Sequence, residues 1–377
     1  MATNIKVLKF GGTSVADAAA FERAVEIVRA NHNSRIVVVV SAMSGVTDAL
    51  IAVRNIEEHF ERHLQVAQIL NAEQQQTFRE LIDNSKREIF ALLPVAAADL
   101  QTHDKIASYG ERLCAALFAT VLEHHGLPAS YVDARRCILT DDDHGNANPL
   151  MDEVCSRTRA HLNPFLELER VPVLGGFIGA TAGGVTTTLG RGSSDYTATL
   201  IGAALQADEI QIWTDVDGVQ TANPKLVTAT RTVPVISYEE ARELAVLGAR
   251  VMHPKMIGPV IEDKIPIRVR NSRFPERSGT LICAGTELPN GFVKAIAHRE
   301  GVVACVGDGL SNGNLGAASV RRVLRETDSA LTWESTSASN LITNVEPDQA
   351  PELVKRLHER IFEREMRKGA TALDRRA

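Results

Sequence analysis

Apolar and polar positions alternate along the first half of the chain in the pattern of an α/β fold. Residues 5–10 and 35–40 are runs of apolar and β-branched residues, which are typical of parallel strands covered on both faces. Between them, residues 17–30 repeat apolar side chains at roughly helical spacing. The pattern therefore predicts a βαβ unit at the start of the chain.

The rest of the pattern predicts a helical insertion followed by further strands and helices. Residues 48–122 contain hardly a strand candidate and abound in Ala, Leu, Glu, Gln and Arg, so we expect several helices that form an insertion or cap. Further strands are predicted at 129–133, 171–177, 209–216, 265–271 and 279–283, and further helices at 197–205 and 238–247, the latter opened by a capping box.

The first predicted strand breaks into two glycines and two hydroxyl residues, Gly11, Gly12, Thr13 and Ser14. Glycines allow the backbone to approach an anion closely, and the N-terminus of the helix that follows would add its positive dipole end. Lys9, just before the turn, would place its ammonium over the same point. An ordinary turn fits this stretch as well, so the glycine pair alone leaves phosphate binding open.

Composition narrows the classes of function. The net charge of -6, the pI near 6.0 and the 5% of aromatic residues argue against a nucleic-acid partner. The longest apolar runs are strand-sized, and the first residues lead into a strand without a signal-peptide pattern, so we expect a cytoplasmic protein without a membrane span. The 5 cysteines are scattered without a Cys-x-x-Cys pair, which favours reduced thiols.

Two regions offer candidate substrate contacts. The second strand runs into a hydroxyl-rich loop at 41–48, which includes Thr47 and lies at the edge of a parallel sheet where ligands bind. Glu111 directly follows a glycine within an apolar-patterned helix. A surface glutamate paired with a neighbour is the other interpretation of Glu111, and the sequence leaves both open.

A second glycine-rich region, at 175–196, is more informative. Arg191 lies between two glycines at the start of a helix, where a guanidinium is well placed to bind a carboxylate in a two-point hydrogen bond. Asp195 fits either a helix cap or a contact with a metal or ammonium. Beyond the next strand, Asp217 and Gly218 form a polar strand end, and Lys225 is available for a phosphate.

The order of these motifs resembles the aspartokinases of the amino-acid kinase superfamily. The matching stretches are 9–15, 41–48, 110–111, 190–197, 213–218 and 248–254, followed by 270–271 and 279–280. The resemblance implies a three-layer α/β fold with a mainly parallel central sheet, followed by a small α+β ACT-like domain. It also implies transfer of the γ-phosphoryl group of ATP to the side-chain carboxylate of L-aspartate. The product would be 4-phospho-L-aspartate, the entry to lysine, threonine and methionine synthesis.

The resemblance assigns roles to residues at the matching positions. A carboxylate acceptor is already ionised at neutral pH, so the site needs cations and amides rather than a general base. Lys9, Asp195 and Arg250 would be catalytic, and Thr47, Glu111, Arg191 and Ser194 would bind the substrate. Gly11, Gly12, Thr13, Ser14, Thr214, Asp215 and Lys225 would bind ATP. Mg²⁺ would bridge the β and γ phosphates without a dedicated set of protein ligands.

Two positions depart from the family pattern. Arg250 stands where the family commonly has Lys, and a guanidinium pairs with phosphate as a planar fork rather than a point charge. Asn223 stands where the family usually has Asp before Pro, which removes a charge near the nucleotide.

The C-terminal part leaves room for one ACT unit where the family usually has two. We expect a catalytic domain at 1–285, an ACT-like regulatory or dimerisation domain at 286–363 and a charged tail at 364–377. Strands are expected at 302–306, 331–334 and 341–345, and helices at 318–325 and 350–362. A shortened regulatory region puts lysine or threonine feedback in doubt, and leaves a sheet edge for dimer pairing.

Two other classes of function stay open. Another kinase of the superfamily, acting on glutamate, acetylglutamate or UMP, would share the glycine-rich phosphate loops. It should lack the Glu111 and Arg191 pair arranged for a free amino acid. A non-catalytic amino-acid sensor, in which the ACT unit reports ligand binding, is the second alternative.

Overall fold

The computed structural model describes residues 4–52, 56–96, 99–247, 253–285, 292–311 and 315–363. The helices are α1 (Ala18–Ala30), α2 (Val46–Ala52), α3 (Ile56–Val66), α4 (Ala72–Ala96), α5 (Leu100–Ala107), α6 (Tyr109–His124), α7 (Met151–Glu167), α8 (Ser194–Leu205), α9 (Tyr238–Val246), α10 (Leu315–Thr327) and α11 (Ala350–His358). The strands are β1 (Ile5–Phe10), β2 (Arg35–Val40), β3 (Ala129–Tyr131), β4 (Val171–Gly175), β5 (Ile178–Ala180), β6 (Thr186–Thr188), β7 (Glu209–Thr214), β8 (Val235–Ser237), β9 (Ile267–Asn271), β10 (Thr280–Cys283), β11 (Ala295–Arg299), β12 (Val302–Val306) and β13 (Asn340–Asn344).

The chain divides into two compact units, of which the first comprises residues 1–215 and 255–277. Its strands form a parallel sheet in the order β3-β4-β2-β1-β7-β9. Leu8 and Phe10 of β1 point to one face, where α1 and α6 contribute Phe21 and Phe118 to a shared core. Lys9 alternates with them and points to the other face, toward α8. The predicted parallel sheet between helical layers is confirmed.

The carboxyl ends of these parallel strands meet at one edge of the sheet. Lys9 is paired in register with Val39 of β2 and Ile212 of β7. The turns after β1, β2 and β7 therefore lie side by side, as expected where ligands bind to open α/β sheets. The βαβ unit and the helical insertion, here α2 to α6, match the prediction.

Two local features of the first unit differ from the sequence pattern. The stretch after β4 contains an antiparallel hairpin of β5 and β6, joined at Ile178–Thr188 and Ala180–Thr186. The turn after β1 is a short 3-10 helix at Gly12–Val15, and α1 begins only after Asp17, which caps it by accepting from the amide of Ala20. Both elements are short and consist mainly of small and hydroxyl residues, so no apolar periodicity in the sequence predicts them.

The second unit comprises residues 216–254 and 278–377. It contains the parallel pair β8 and β10 and a small antiparallel sheet in the order β11-β12-β13, with α10 and α11 sharing its apolar core. The capping box at Ser237 is confirmed. Residues 331–334, predicted as a strand, make only one bridge, from Glu334 to Ile342. The small α+β arrangement agrees with the predicted ACT-like fold.

The domain boundaries expected from the sequence stay a prediction. Packing joins residues 216–254 to the C-terminal unit, because Ile296 of β11 donates to the carbonyl of Thr221 at 2.8 Å and Thr221 contacts His358 at 2.9 Å. The expected tail at 364–377 and the position of Arg250 lie outside the described residues. Among the helices that the structure does describe, none is long and apolar enough to cross a bilayer.

Candidate active site

A cavity of about 290 Å³ lies at the strand-end edge of the first unit. It is lined by all four residues expected to bind the substrate, namely Thr47, Glu111, Arg191 and Ser194. These residues come from α2, α6, the loop after β6 and the start of α8, so the fold brings together positions far apart in sequence. Gly12 also lines the cavity, which connects it to the turn after β1.

Glu111 is the buried acid of this cavity. It lies in the first turn of α6 and is 3% exposed. Its Oε1 accepts from the Thr47 hydroxyl at 3.2 Å, while its Oε2 is buried without a hydrogen-bond partner in the described structure. Burial raises the pKa of Glu111 to about 7, against hydrogen bonds that lower it. A cation bound in the cavity would satisfy the second oxygen and favour the ionised form.

Glycines at the end of β4 form the floor beneath Glu111 and Ser194. A Cβ on Gly175 would lie 2.9 Å from the Cβ of Glu111, and one on Gly176 would lie 2.6 Å from the Cβ of Ser194. Real Cβ atoms do not approach this closely, so the helices α6 and α8 pack directly on the backbone of the strand end. The glycines therefore permit the approach of both polar side chains.

Arg191 contributes the cation at the mouth of the cavity. Gly190 and Gly192, on either side, have φ angles of +91° and +77°, which favour glycine. The guanidinium is 3.1 Å from the carboxylate of Asp48, and the two side chains are 75% and 71% exposed. Both residues line the cavity. Because exposed ion pairs are weak, Asp48 contributes little to holding the guanidinium in place.

Lys9 and Asp195 form a buried ion pair beside the turn after β1. Lys9 Nζ is 2.6 Å from Asp195 Oδ1, with side-chain exposures of 9% and 12%, although that oxygen has no hydrogen bond of regular geometry among the described residues. Asp195 is the second residue of α8 and does not cap it, since the cap position is Ser193. Lys9 Nζ also lies 3.6 Å from the Cβ position of Gly11. The ammonium thus lies at the glycine turn.

The turn itself offers fewer free donors than its sequence indicates. The Gly11 amide donates to the carbonyl of Trp213 at 2.9 Å. The Ser14 hydroxyl is buried and donates to the same carbonyl at 3.1 Å, with the Ser272 hydroxyl 2.7 Å away. Gly12 and Thr13 begin the 3-10 helix, where amides have no acceptor within the helix. These two amides are the better candidates for an anion.

The next strand end along the sheet carries Thr214 and Asp215. The Thr214 hydroxyl donates to the Asp215 carboxylate at 3.3 Å, and Asp215 is exposed. The register of β1 and β7, in which Phe10 pairs with Trp213, places these residues beside the glycine turn. Polar groups suited to a nucleotide therefore adjoin the ion pair of Lys9 and Asp195.

Comparison with known proteins identifies the family. The model of the amino acid kinase family matches residues 4–271. The chain is 38% identical over 307 residues to the lysine-sensitive aspartokinase 3 of Escherichia coli (strain K12), covering 79% of this chain and 68% of that protein. It is 34% identical over 307 residues to the chloroplastic aspartokinase 3 of Arabidopsis thaliana, covering 77% of this chain and 55% of the plant protein.

Its structure is similar to that of E. coli aspartokinase III solved in complex with aspartate and ADP in the R-state. The TM-score is 0.83 at 28% sequence identity, and the match covers 95% of this chain and 100% of that one.

The chain belongs to the aspartokinases.

Membership of this family makes the chain a phosphotransferase that uses ATP and a carboxyl acceptor. The match spans 68% of the length of the bacterial aspartokinase and just over half of that of the plant one.

Of the residues expected in the aspartokinase site, five line this cavity, namely Gly12, Thr47, Glu111, Arg191 and Ser194. Lys9, Gly11, Thr13, Ser14, Asp195, Thr214 and Asp215 belong to the adjoining turns, strand ends and helix start and do not line it. Lys225 is exposed in the second unit, where its amide donates to the Asn223 side chain at 3.0 Å. Arg250 lies outside the described residues. Their roles stay predictions.

Two further cavity residues escaped the sequence analysis. Asp48 was assigned to the loop after β2 without a partner, and it pairs with Arg191. Phe177 lines the cavity with a φ angle of +67°, an uncommon conformation for a bulky residue. Its amide donates to Thr197 at 2.9 Å and its carbonyl accepts from Leu189 at 2.9 Å, which hold it there. Nothing in the local sequence marks a phenylalanine for this conformation.

Proposed function

We propose that this chain transfers the γ-phosphoryl group of ATP to the side-chain carboxylate of L-aspartate, giving 4-phospho-L-aspartate and ADP. One observation carries the proposal: a single cavity holds a guanidinium at Arg191 and a buried carboxylate at Glu111, whose Oε2 has no hydrogen-bond partner among the described residues. This pair matches the ammonium and α-carboxylate of a free amino acid. The related E. coli enzyme, solved with aspartate and ADP, supports the same ligands.

In this reaction the substrate supplies the nucleophile. The side-chain carboxylate of aspartate is ionised at neutral pH, so no residue has to remove a proton from it. The hydroxyls of Thr47 and Ser194, residues that line the same cavity as Glu111 and Arg191, would orient the acceptor. The enzyme must then bring this anion up to the γ-phosphate and stabilise the charge of the transition state.

Lys9 would stabilise the transferring phosphoryl group. Its ammonium lies at the glycine turn, and the ion pair with Asp195 fixes its position. The amides of Gly12 and Thr13, at the start of the 3-10 helix, would donate to the same phosphate oxygens. We assign Thr214 and Asp215 to the nucleotide, and Lys225 and Arg250 to its phosphates by family resemblance.

Magnesium is the metal we propose for the reaction. The oxygen donors at the strand ends fit a hard cation, because the Asp215 carboxylate is exposed beside the glycine turn. When bound, the ion would neutralise the phosphate charge that develops during transfer. Phosphates and water would complete its coordination.

The direct test is a hydroxamate assay with the purified chain, ATP, Mg²⁺, hydroxylamine and L-aspartate. Acyl phosphate formation with aspartate supports the proposal, and Lys9→Met should abolish it. A coupled assay of ADP release with each acceptor tests the alternatives, and turnover of glutamate, acetylglutamate or UMP without turnover of aspartate would identify another kinase of the superfamily. Binding of aspartate without any turnover would identify a sensor.

The same assay with added lysine or threonine tests regulation. We propose that feedback inhibition is altered or absent, because the described residues of the C-terminal unit form a single small antiparallel sheet. Inhibition of the wild type by either amino acid at physiological concentration would contradict this.

We also propose a cytoplasmic homodimer paired through the ACT-like sheet. The two edge strands of that sheet are β11 and β13, and each already makes a contact within the chain, at Ile296 and at Ile342, so the pairing would use the other backbone groups of an edge. Light scattering of the purified chain would measure its mass in solution, and a monomer at micromolar concentration would exclude the dimer.

A further inference from the structure

We propose that Asp104 is a positioning residue for the amino-acid acceptor. It would set the spacing between Glu111 and Arg191, the two groups assigned to the α-ammonium and the α-carboxylate. The inference rests on the proposed function of that pair. Asp104 does not line the cavity and would act only through the elements it holds.

Asp104 lies in α5 and is 1% exposed, yet its carboxylate is fully hydrogen-bonded. Oδ1 accepts from the Thr188 hydroxyl at 2.6 Å. Oδ2 accepts from the Thr188 amide at 3.1 Å, from the Gly145 amide at 3.0 Å and from His144 Nδ1 at 2.9 Å. A buried carboxylate is costly without such partners, so this arrangement holds together three segments that are distant in sequence.

On one side the network is connected rigidly to Glu111. Helix α5 passes into α6 through Ser108, whose φ and ψ angles of -62° and -21° keep the helical direction. Ser108 donates its amide to the Asp104 carbonyl at 3.0 Å and its hydroxyl to the Lys105 carbonyl at 2.7 Å. Glu111 follows in the first turn of α6. A shift of Asp104 would therefore move Glu111.

On the other side, the network holds the end of β6, from which the loop that carries Arg191 begins. Thr188 is the last residue of β6 and donates both its amide and its hydroxyl to Asp104. Its carbonyl accepts from the Ala147 amide at 2.9 Å. Leu189, which follows, is buried and donates to the Phe177 carbonyl at 2.9 Å. These contacts hold the chain up to Leu189, so the loop that carries Arg191 begins at Gly190.

A neutral side chain of the same shape would not reproduce these contacts. In Asp104→Asn the NH₂ group can stand only at the Oδ1 position, where the Thr188 hydroxyl would turn to accept from it. The second hydrogen of the NH₂ group then meets no acceptor among these partners, and Oδ2 loses the charge that strengthens its bonds to Gly145, Thr188 and His144. The mismatch would push β6 and α5 apart without removing any group from the cavity. The expected result is a poorer fit to the acceptor and little change in the chemical step.

The experiment compares Asp104→Asn and Thr188→Val with a control on the same helix. Asp99 caps α5 by accepting from the amides of Gln101 and Thr102, and Asp99→Ala removes that cap while leaving the network intact. We expect Asp104→Asn to raise the KM for aspartate about tenfold, with kcat within about threefold and the KM for ATP within about twofold of wild type. Asp99→Ala should leave the KM for aspartate unchanged.

Thr188→Val keeps the volume but removes the hydroxyl donor, and it should raise the same KM by a smaller factor. In the double variant, the KM for aspartate should exceed that of Asp104→Asn by a smaller factor than Thr188→Val alone produces. The two effects should not multiply, since both changes break one network. The inhibition constant of succinate, which has no ammonium for Glu111, should rise less than the KM for aspartate. Thr188→Val also tests the inference if Asp104→Asn does not fold.

An unchanged KM for aspartate in Thr188→Val and in folded Asp104→Asn would overturn the inference. An equal rise in Asp99→Ala would do the same, because it would trace the effect to the stability of α5. An equal rise in the succinate constant would show that the Glu111 spacing is not involved. If the wild type itself made no hydroxamate from aspartate, the proposed function would fail instead.

Discussion

Lys9 Nζ and Asp195 Oδ1 lie 2.6 Å apart, between the end of β1 and the first turn of α8. The pair is nearly buried, with side-chain exposures of 9% and 12%, so each charge depends on the other for compensation. Removing only one partner leaves an unpaired buried charge. The pair therefore has a catalytic role, by our proposal, and is also part of the buried interior of the first unit.

Variants of the Lys9–Asp195 pair should affect activity and stability differently. Lys9→Met should lower kcat by about 10³ and the free energy of unfolding by about 2–4 kcal/mol, since it leaves Asp195 uncompensated. The double variant Lys9→Met, Asp195→Asn should recover part of the stability but none of the activity. Urea unfolding and the hydroxamate assay measure the two quantities. A double variant no more stable than Lys9→Met would contradict the coupling.

The pH dependence of aspartate binding should follow Glu111. Its pKa is raised to about 7 by burial, and the proposed ammonium contact needs the ionised form. The KM for aspartate should therefore rise as the pH falls below about 7, by up to about tenfold per unit, while the KM for ATP changes little. Initial rates between pH 5.5 and 8.5 measure this. A KM for aspartate that stays constant over the range would exclude the contact.

The same carboxyl should make the protein less stable at higher pH. Its folded pKa, about 7, exceeds the ordinary value of 4.5, so the folded state binds more protons between these values. The stabilisation is fully present below about 4.5 and is lost as the pH rises through about 7. Glu111→Gln should remove this loss, and unfold with about 1–3 kcal/mol more free energy than wild type at pH 8. At pH 5.5 the difference in the free energy of unfolding between Glu111→Gln and wild type should be smaller. An equal difference at both pH values would contradict the raised pKa of Glu111.

Asp48 should compete with the substrate for Arg191. Arg191→Ala should raise the KM for aspartate about 100-fold, since it removes a charge-assisted two-point contact. Asp48→Asn should lower that KM by about twofold to fivefold, because an exposed pair is weak and its loss frees the guanidinium. The difference should shrink in high salt. Asp142→Asn, an exposed carboxylate outside the cavity lining, makes the same charge change and should have no effect.

The glycine floor should tolerate no side chain. Gly176→Ala would place a Cβ 2.6 Å from the Cβ of Ser194, so we expect a loss of about 1–3 kcal/mol of stability and a rise in the KM for aspartate. Gly183→Ala is the matched control, because its Cβ would meet nothing closer than 3.8 Å. Thermal unfolding of both variants checks this, and equal stability of the two would refute the close contact.

Much of the site could be predicted from the sequence alone. Parallel strands end at one edge, so the loop at Thr47 and the region around Arg191 were expected near the glycine turn, and they line one cavity. The family motifs supplied the pairing of Glu111 with Arg191. The glycine before Glu111 permits close packing of α6, because a Cβ on Gly110 would lie 2.9 Å from the Cβ of Ala42.

Other features depend on registers that no local pattern sets. The Gly11 amide and the Ser14 hydroxyl meet the Trp213 carbonyl because β1 and β7 pair in one particular register. Asp104 has the same dependence. It resembles an ordinary helical aspartate until the hairpin of β5 and β6 brings Thr188 against it. Tertiary contacts of this kind decide which polar residues form hydrogen bonds within the protein and which remain available to a ligand.

The glycine floor also limits how this site can change its acceptor. Where a pocket is bounded by side chains, its volume can be altered one substitution at a time. Here the floor at Gly175 and Gly176 is main chain, already in contact with the helices that carry Glu111 and Ser194. Selection for a longer or shorter acceptor would have to work through the rim, at Asp48 and the Arg191 loop, which makes the rim the part of the site to vary in engineering its selectivity.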